Sequence, residues 1–137
     1  QMLLIFITAW LVYDVDLPAH IGLWSFVTLF AALCAAGLAL MVAALCRTPA
    51  QARNMANILV IVLSVVGGSM VPRFFMPPWL RDAGWVTPNT WVLEAYSSLF
   101  WRNEGLQQLL FPCGLLLALA LGSLAAAQWF AVRRARL

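Results

Sequence analysis

Glu94 is a carboxylate set in an aromatic stretch, three residues after Trp91 and two before Tyr96. A carboxylate placed there either faces water or takes a donor in exchange for its lost hydration, and Arg73, Arg81 and Arg102 are the candidates to supply one. The other residue types that usually carry chemistry are scattered. His20 is the single histidine, in a turn beside Pro18, with no His, Cys or carboxylate cluster at ligand spacing. Cys34, Cys46 and Cys113 form no C-x-x-C pair, and about 18 Å would separate Cys34 from Cys46 on a helix, too far to bridge. They read as small buried hydrophobes. No glycine-rich phosphate loop is present, so a nucleotide, if one is used, binds elsewhere. No catalytic, cofactor or metal residue is assigned.

The elements that must position Glu94 are apolar. The chain is 64% hydrophobic and 9% charged, too apolar for a soluble fold to hide, and lipid is its solvent. Ile21 to Cys46 and Leu106 to Val132 are 26 and 27 residues without a charge, each long enough to span. Asn54 to Pro72 is a shorter span. Met2 to Tyr13 reads as the end of a span that starts upstream, because the chain opens on Gln1 with no basic flank. The expected fold is all-α: a polytopic membrane domain over 1–137 with four visible transmembrane helices at about 1–13 (truncated), 21–46, 54–72 and 106–132. Between the last two lies a 73–104 segment of short interfacial or re-entrant helices.

Charge sets the orientation. Arg47, Arg53, Arg133, Arg134 and Arg136 flank one side, which is then cytoplasmic; the acids Asp14, Asp16, Asp82, Glu94 and Glu104 all lie on the other. Trp10, Tyr13 and Trp24 are expected near the outer interface and Trp129 near the inner one. The arginines are dispersed, so the net charge of +3 reflects topology and not nucleic-acid binding. The complete spans carry no ionisable residue for proton coupling, which points to an energy source elsewhere, with sodium coupling through unwound backbone carbonyls as the alternative. Two stripes of small residues, Ala31, Ala35, Ala39 and Ala43, and Gly114, Ala118, Gly122 and Ala126, suit close helix packing or dimerisation.

Gly67 to Trp101 holds four of the seven prolines and four of the seven tryptophans. Pro77 and Pro78 open a short helix that Gly84 closes, and Thr87 or Asn89 starts a second carrying Trp91, Glu94, Tyr96 and Phe100. Ser64, Gly67 and Gly68 mark either a hinge or a helix terminus. In the turn CRTPAQARN, Thr48 can cap the next helix and Pro49 suits its first turn.

The order ALCRTPAQARN, GGSMVP, MPPWL, TPNTWVLEAY and a basic-ended last span resembles the carboxy-terminal part of ABC type 2 permeases, the membrane subunits of ATP-driven exporters. The resemblance covers essentially the whole chain and is strongest from Leu45 to Tyr96. It implies a six-span subunit paired with a second permease copy or homologue and with cytoplasmic ABC ATP-binding subunits. ATP would sit on that partner, with no cofactor on this chain, and the main coupling helix would lie upstream of Gln1. Arg47, Thr48, Pro49, Gln51 and Arg53 would face the ATPase. Pro72, Met76, Pro77, Trp79, Leu80, Pro88, Trp91 and Glu94 would line or close an outer exit. The implied function is export of an amphipathic or hydrophobic substrate across a cell membrane, the bacterial inner membrane by type. The alternatives are a secondary transporter or channel fragment, and a membrane assembly protein that transports nothing.

Overall fold

In lipid every backbone N–H and C=O must find a partner within the protein, so long apolar runs fold as helices. The computed structural model describes residues 2–13, 17–71, 73–102 and 105–135, and within them the chain is all-α. Its helices are α1 (Met2–Tyr13), α2 (Leu17–Leu45), α3 (Pro49–Val66), α4 (Pro78–Gly84), α5 (Pro88–Phe100) and α6 (Leu106–Ala135), with a 3-10 turn at Arg73–Phe75. Three helices are long and apolar enough to cross a membrane: His20–Leu45, Pro49–Val66 and Leu106–Arg133. The twelve residues of α1 reach about 18 Å, short of the roughly 30 Å hydrocarbon core.

Two boundaries differ from the sequence expectation. α2 begins at Leu17, which places His20 in a helix and not in a turn; its ring meets Phe100 edge-on at 6.1 Å. α3 runs from Pro49 to Val66 and not from 54 to 72. Its start is set by Thr48, whose hydroxyl accepts from the Gln51 N–H at 3.2 Å, while the Gln51 carboxamide oxygen accepts from the Arg47 N–H at 3.0 Å. This reciprocal pair resembles a capping box and draws the polar turn into the helix. Its stop is a glycine motif. Gly67 caps the helix, Gly68 takes the left-handed conformation at φ 83°, and the Ser69 N–H donates back to the Ser64 carbonyl at 3.0 Å. A side chain at Gly68 would be strained there, which is why glycine ends the helix. Ser64, Gly67 and Gly68 therefore form a terminus.

α2 and α6 run parallel and make the main seam. At one end Trp24 and Val27 meet Leu109 and Cys113; further along, Gly37 meets Ala120 and Ser123. A Cβ on Gly37 would lie 2.9 Å from the Ala120 carbonyl, so only glycine permits this approach. The alanine stripe of α2 does not make this seam. Ala31, Ala35 and Ala39 face α3 across a cavity instead, and Gly114, Ala118 and Gly122 of α6 are exposed. Trp24 is buried among Phe6, Val27, Ala95 and Leu99, where its area fills the core.

Candidate functional site

α5 enters the bundle and stops halfway through it. Its first residues, Trp91 and Val92, pack on Cys34 of α2 and on Leu116 and Ala120 of α6, which lie about 15–20 Å along α6 from its start. Its last turn, with Tyr96, Leu99 and Phe100, meets Phe6, Trp24 and Leu109 at the end where α2 and α6 begin. The segment between α3 and α6 thus folds back as a hairpin, α4 ending against α3 and α5 running to the end where α2 and α6 begin.

Irregular backbone at that depth is tolerated only where its polar groups are satisfied. Here the hairpin tip, residues 84 to 87, is closed by hydroxyls. Thr87 donates to the Gly84 carbonyl at 2.8 Å, and Thr90 lies 2.6 Å from that carbonyl and 3.2 Å from the Gly67 carbonyl, both threonines being buried. The second of these bonds ties the tip to the end of α3. Asn89 adds two more ties, its amide donating to the Ser64 hydroxyl at 3.4 Å and to the Ser69 hydroxyl at 3.2 Å. Trp91 donates its indole N–H to the Trp85 carbonyl at 2.8 Å and packs between Trp85 and Phe111.

Two glycines allow this docking. A Cβ on Gly67 would lie 2.5 Å from the Asn89 Cβ and 2.7 Å from the Thr87 hydroxyl, and one on Gly84 would lie 2.8 Å from the Val66 carbonyl. The end of α3 and the tip of the hairpin therefore touch backbone to side chain at positions where any larger residue would force them apart.

Further along α5, the Tyr96 and Thr28 hydroxyls share a hydrogen bond of 2.8 Å. Glu94 pairs with Arg102 at 2.5 Å, and Arg102 also reaches the Ser98 hydroxyl. Both partners are about a third or more exposed, so the pair is solvent-screened.

The residues singled out from sequence are distributed as follows. Pro77 and Thr87 are the N-caps of α4 and α5, and Pro78 and Pro88 stand in their first turns. Asn89 does not cap α5; it lies one residue inside the helix and turns to α3. Trp91 and Pro88 sit at the hairpin tip, Leu80 is half-buried, Met76 is buried, and Trp79 is 71% exposed. Pro72 lies outside the described residues. Arg47, Thr48, Pro49, Gln51 and Arg53 gather at the opposite end of the bundle, all exposed, with Thr48 and Gln51 occupied in capping α3. Cys34, Cys46 and Cys113 are buried, and no disulfide joins them. The residues not anticipated are Ser69, Thr90 and Thr28. Their signal was a hydroxyl inside an apolar or aromatic stretch, which in lipid must find a partner.

A family model described as ABC-2 type transporter matches residues 1–101. The linearmycin resistance permease protein LnrN of Bacillus subtilis (strain 168) is 30% identical over 84 residues, 61% of this chain and 22% of its own length. ABC transporter G family member 38 of Oryza sativa subsp. japonica is 36% identical over 64 residues, 47% of this chain and 4% of its own. ABC transporter G family member 35 of Arabidopsis thaliana is 32% identical over 75 residues, 51% of this chain and 5% of its own. The chain thus spans less than a quarter of the length of each of these relatives. No solved structure matches it. With three helices able to span a membrane and a family match over most of its length, the chain belongs to the ABC-2 type transporter family of membrane permeases.

Proposed function

We propose that this chain is part of the permease of an ATP-driven exporter, moving an amphipathic or hydrophobic substrate out of the cytoplasm. ATP is hydrolysed on a partner ATP-binding subunit, and a second permease copy or homologue completes the pathway. The α4–α5 hairpin serves as the outer exit, and Arg47, Thr48, Pro49, Gln51 and Arg53 form the face toward the ATPase. The observation that carries this reading is the hairpin itself: an element that reaches halfway along α6, tied to α3 by Asn89 and Thr90, to α2 by Tyr96 and to the core by Ala95 and Leu99, so that it would move as one unit. The span interiors support it as well. Among the described residues of α2, α3 and α6 there is no carboxylate, so ion coupling has no acid to use. The arginines at the α2–α3 turn and at the end of α6 support an orientation with that end cytoplasmic and the hairpin end external, which suits a bacterial inner membrane.

The test is reconstitution of the permease with its ATP-binding subunit in vesicles. Permease-dependent ATP hydrolysis, stimulated by a hydrophobic substrate, is the expected result. Hydrolysis indifferent to the permease would sink the reading.

A further inference from the structure

The alanine stripe of α2 leaves an unfilled space. Ala31, Ala35 and Ala39 oppose Ala56, Leu59 and Leu63 of α3, and the first turn of α5 closes one end of a groove of about 190 Å³. Ala35, Ala39 and Val60 are exposed, so the groove opens to the lipid-facing surface. An apolar cavity of about 150 Å³ takes a benzene-sized ligand, and a molecule dissolved in the bilayer can reach this groove from the side.

The lining is apolar except at the α5 end, where Ser64 and Asn89 stand together. Their hydrogen bond uses the Asn89 amide as donor and the Ser64 oxygen as acceptor. This leaves the Ser64 hydroxyl proton and the Asn89 carboxamide oxygen without partners among the described residues, one donor and one acceptor on the same wall. No charged residue lines the space. A carboxylate or ammonium would enter with no counter-charge, at a cost of several kcal/mol or more. A hydroxyl or amide would satisfy both groups.

We propose that this cavity binds a neutral amphipathic molecule drawn from the bilayer, its apolar body along the α2 alanines and its hydroxyl or amide head on Ser64 and Asn89. That this molecule is the transported substrate rests on the exporter reading; the binding site does not.

The probe is an octanol carrying a photoactivatable diazirine, applied to the permease in phosphatidylcholine vesicles without ATP, with the labelled residues located by mass spectrometry. Label is expected on lining residues such as Cys34, Ala35 and Leu59, displaced by 1-octanol and not by octanoate. Ala35→Phe, which fills the space, should cut labelling by about tenfold. Ala36→Phe, on an exposed position outside the lining, should leave it unchanged. Ser64→Ala should weaken 1-octanol competition by about three- to tenfold, what one hydrogen bond carries, and keeps the test valid if Ala35→Phe fails to fold. Three results would overturn the proposal: label spread over lipid-facing Leu33 and Leu40 and indifferent to Ala35→Phe, equal displacement by octanoate, or no label on the lining because another protein segment fills it. Labelling needs neither ATP nor a partner, so its failure is distinct from loss of ATPase coupling.

Discussion

The Tyr96 hydroxyl lies 2.8 Å from the Thr28 hydroxyl, joining the middle of α5 to the side of α2. Tyr96 packs against Phe6 and Phe100, and the Thr28 hydroxyl also donates to the Trp24 carbonyl at 2.8 Å, so the tyrosine proton is left to make the bond between them. Tyr96→Phe and Thr28→Val should each lower stability by about 0.5–1.5 kcal/mol. The double variant should cost less than the sum, with a coupling of about 0.6 kcal/mol, typical of hydrogen bonds between membrane helices. Denaturant unfolding in mixed micelles measures this, and full additivity would mean that the two groups do not interact.

Gly67 is the tightest contact between α3 and the hairpin. Gly67→Ala places a methyl 2.5 Å from the Asn89 Cβ and should destabilise by about 1–3 kcal/mol, with the hairpin becoming accessible to protease. Gly22→Ala, where a Cβ meets nothing within 4 Å, is the control and should be neutral or slightly stabilising, since alanine favours the helix. Equal effects of the two would argue against a docked tip.

The Thr48 cap fixes where α3 begins. Thr48→Ala removes the acceptor for the Gln51 N–H and should cost about 1 kcal/mol, whereas Thr48→Asp should retain most of the stability. Thermal unfolding distinguishes them. If both lower permease-stimulated ATP hydrolysis alike without changing stability, the turn acts by contact with the partner and not through the cap.

Glu94 was open in the sequence between a solvated and a paired carboxylate, and the structure pairs it with Arg102. Because both groups keep substantial solvent exposure, Glu94→Gln should change stability by less than about 1 kcal/mol, and by less still at high salt. A loss of several kcal/mol would mean that the pair is shielded from water.

The short helices were legible because their punctuation is local. Pro77, Pro78, Gly84 and Pro88 mark ends that depend on backbone geometry within a few residues. The all-α membrane fold followed from the charge-free runs in the same way. The depth of α5 was not legible, since it is set by contacts between residues far apart in the chain, Trp91 and Val92 on the cluster of Cys34, Leu116 and Ala120. The stop of α3 at Val66 was read six residues late, because the apolar run continues past the glycines that end it. The small-residue stripes misled for a related reason. Alanine permits close packing but does not choose a neighbour, and Gly37 against Ala120 makes the approach while Ala35 is left lining a cavity. His20 was read in a turn because a short apolar prelude to a span looks the same whether it is loop or helix.

The most direct measurement of the hairpin's role is a reversible lock between its tip and α3. The Asn89 amide reaches the Ser69 hydroxyl at 3.2 Å, which puts the two residues within cross-linking range; Ser69→Cys with Asn89→Cys is joined by mild oxidation, or by a short reducible bis-thiosulfonate that bridges a wider gap, in a background where Cys34, Cys46 and Cys113 are replaced. Permease-stimulated ATP hydrolysis is read in vesicles holding the ATP-binding partner. The expected result is that oxidation lowers hydrolysis to the level of the partner alone and reductant restores it. An oxidised, fully cross-linked permease that stimulates hydrolysis as well as the reduced one would contradict the assignment of α4–α5 as a moving exit.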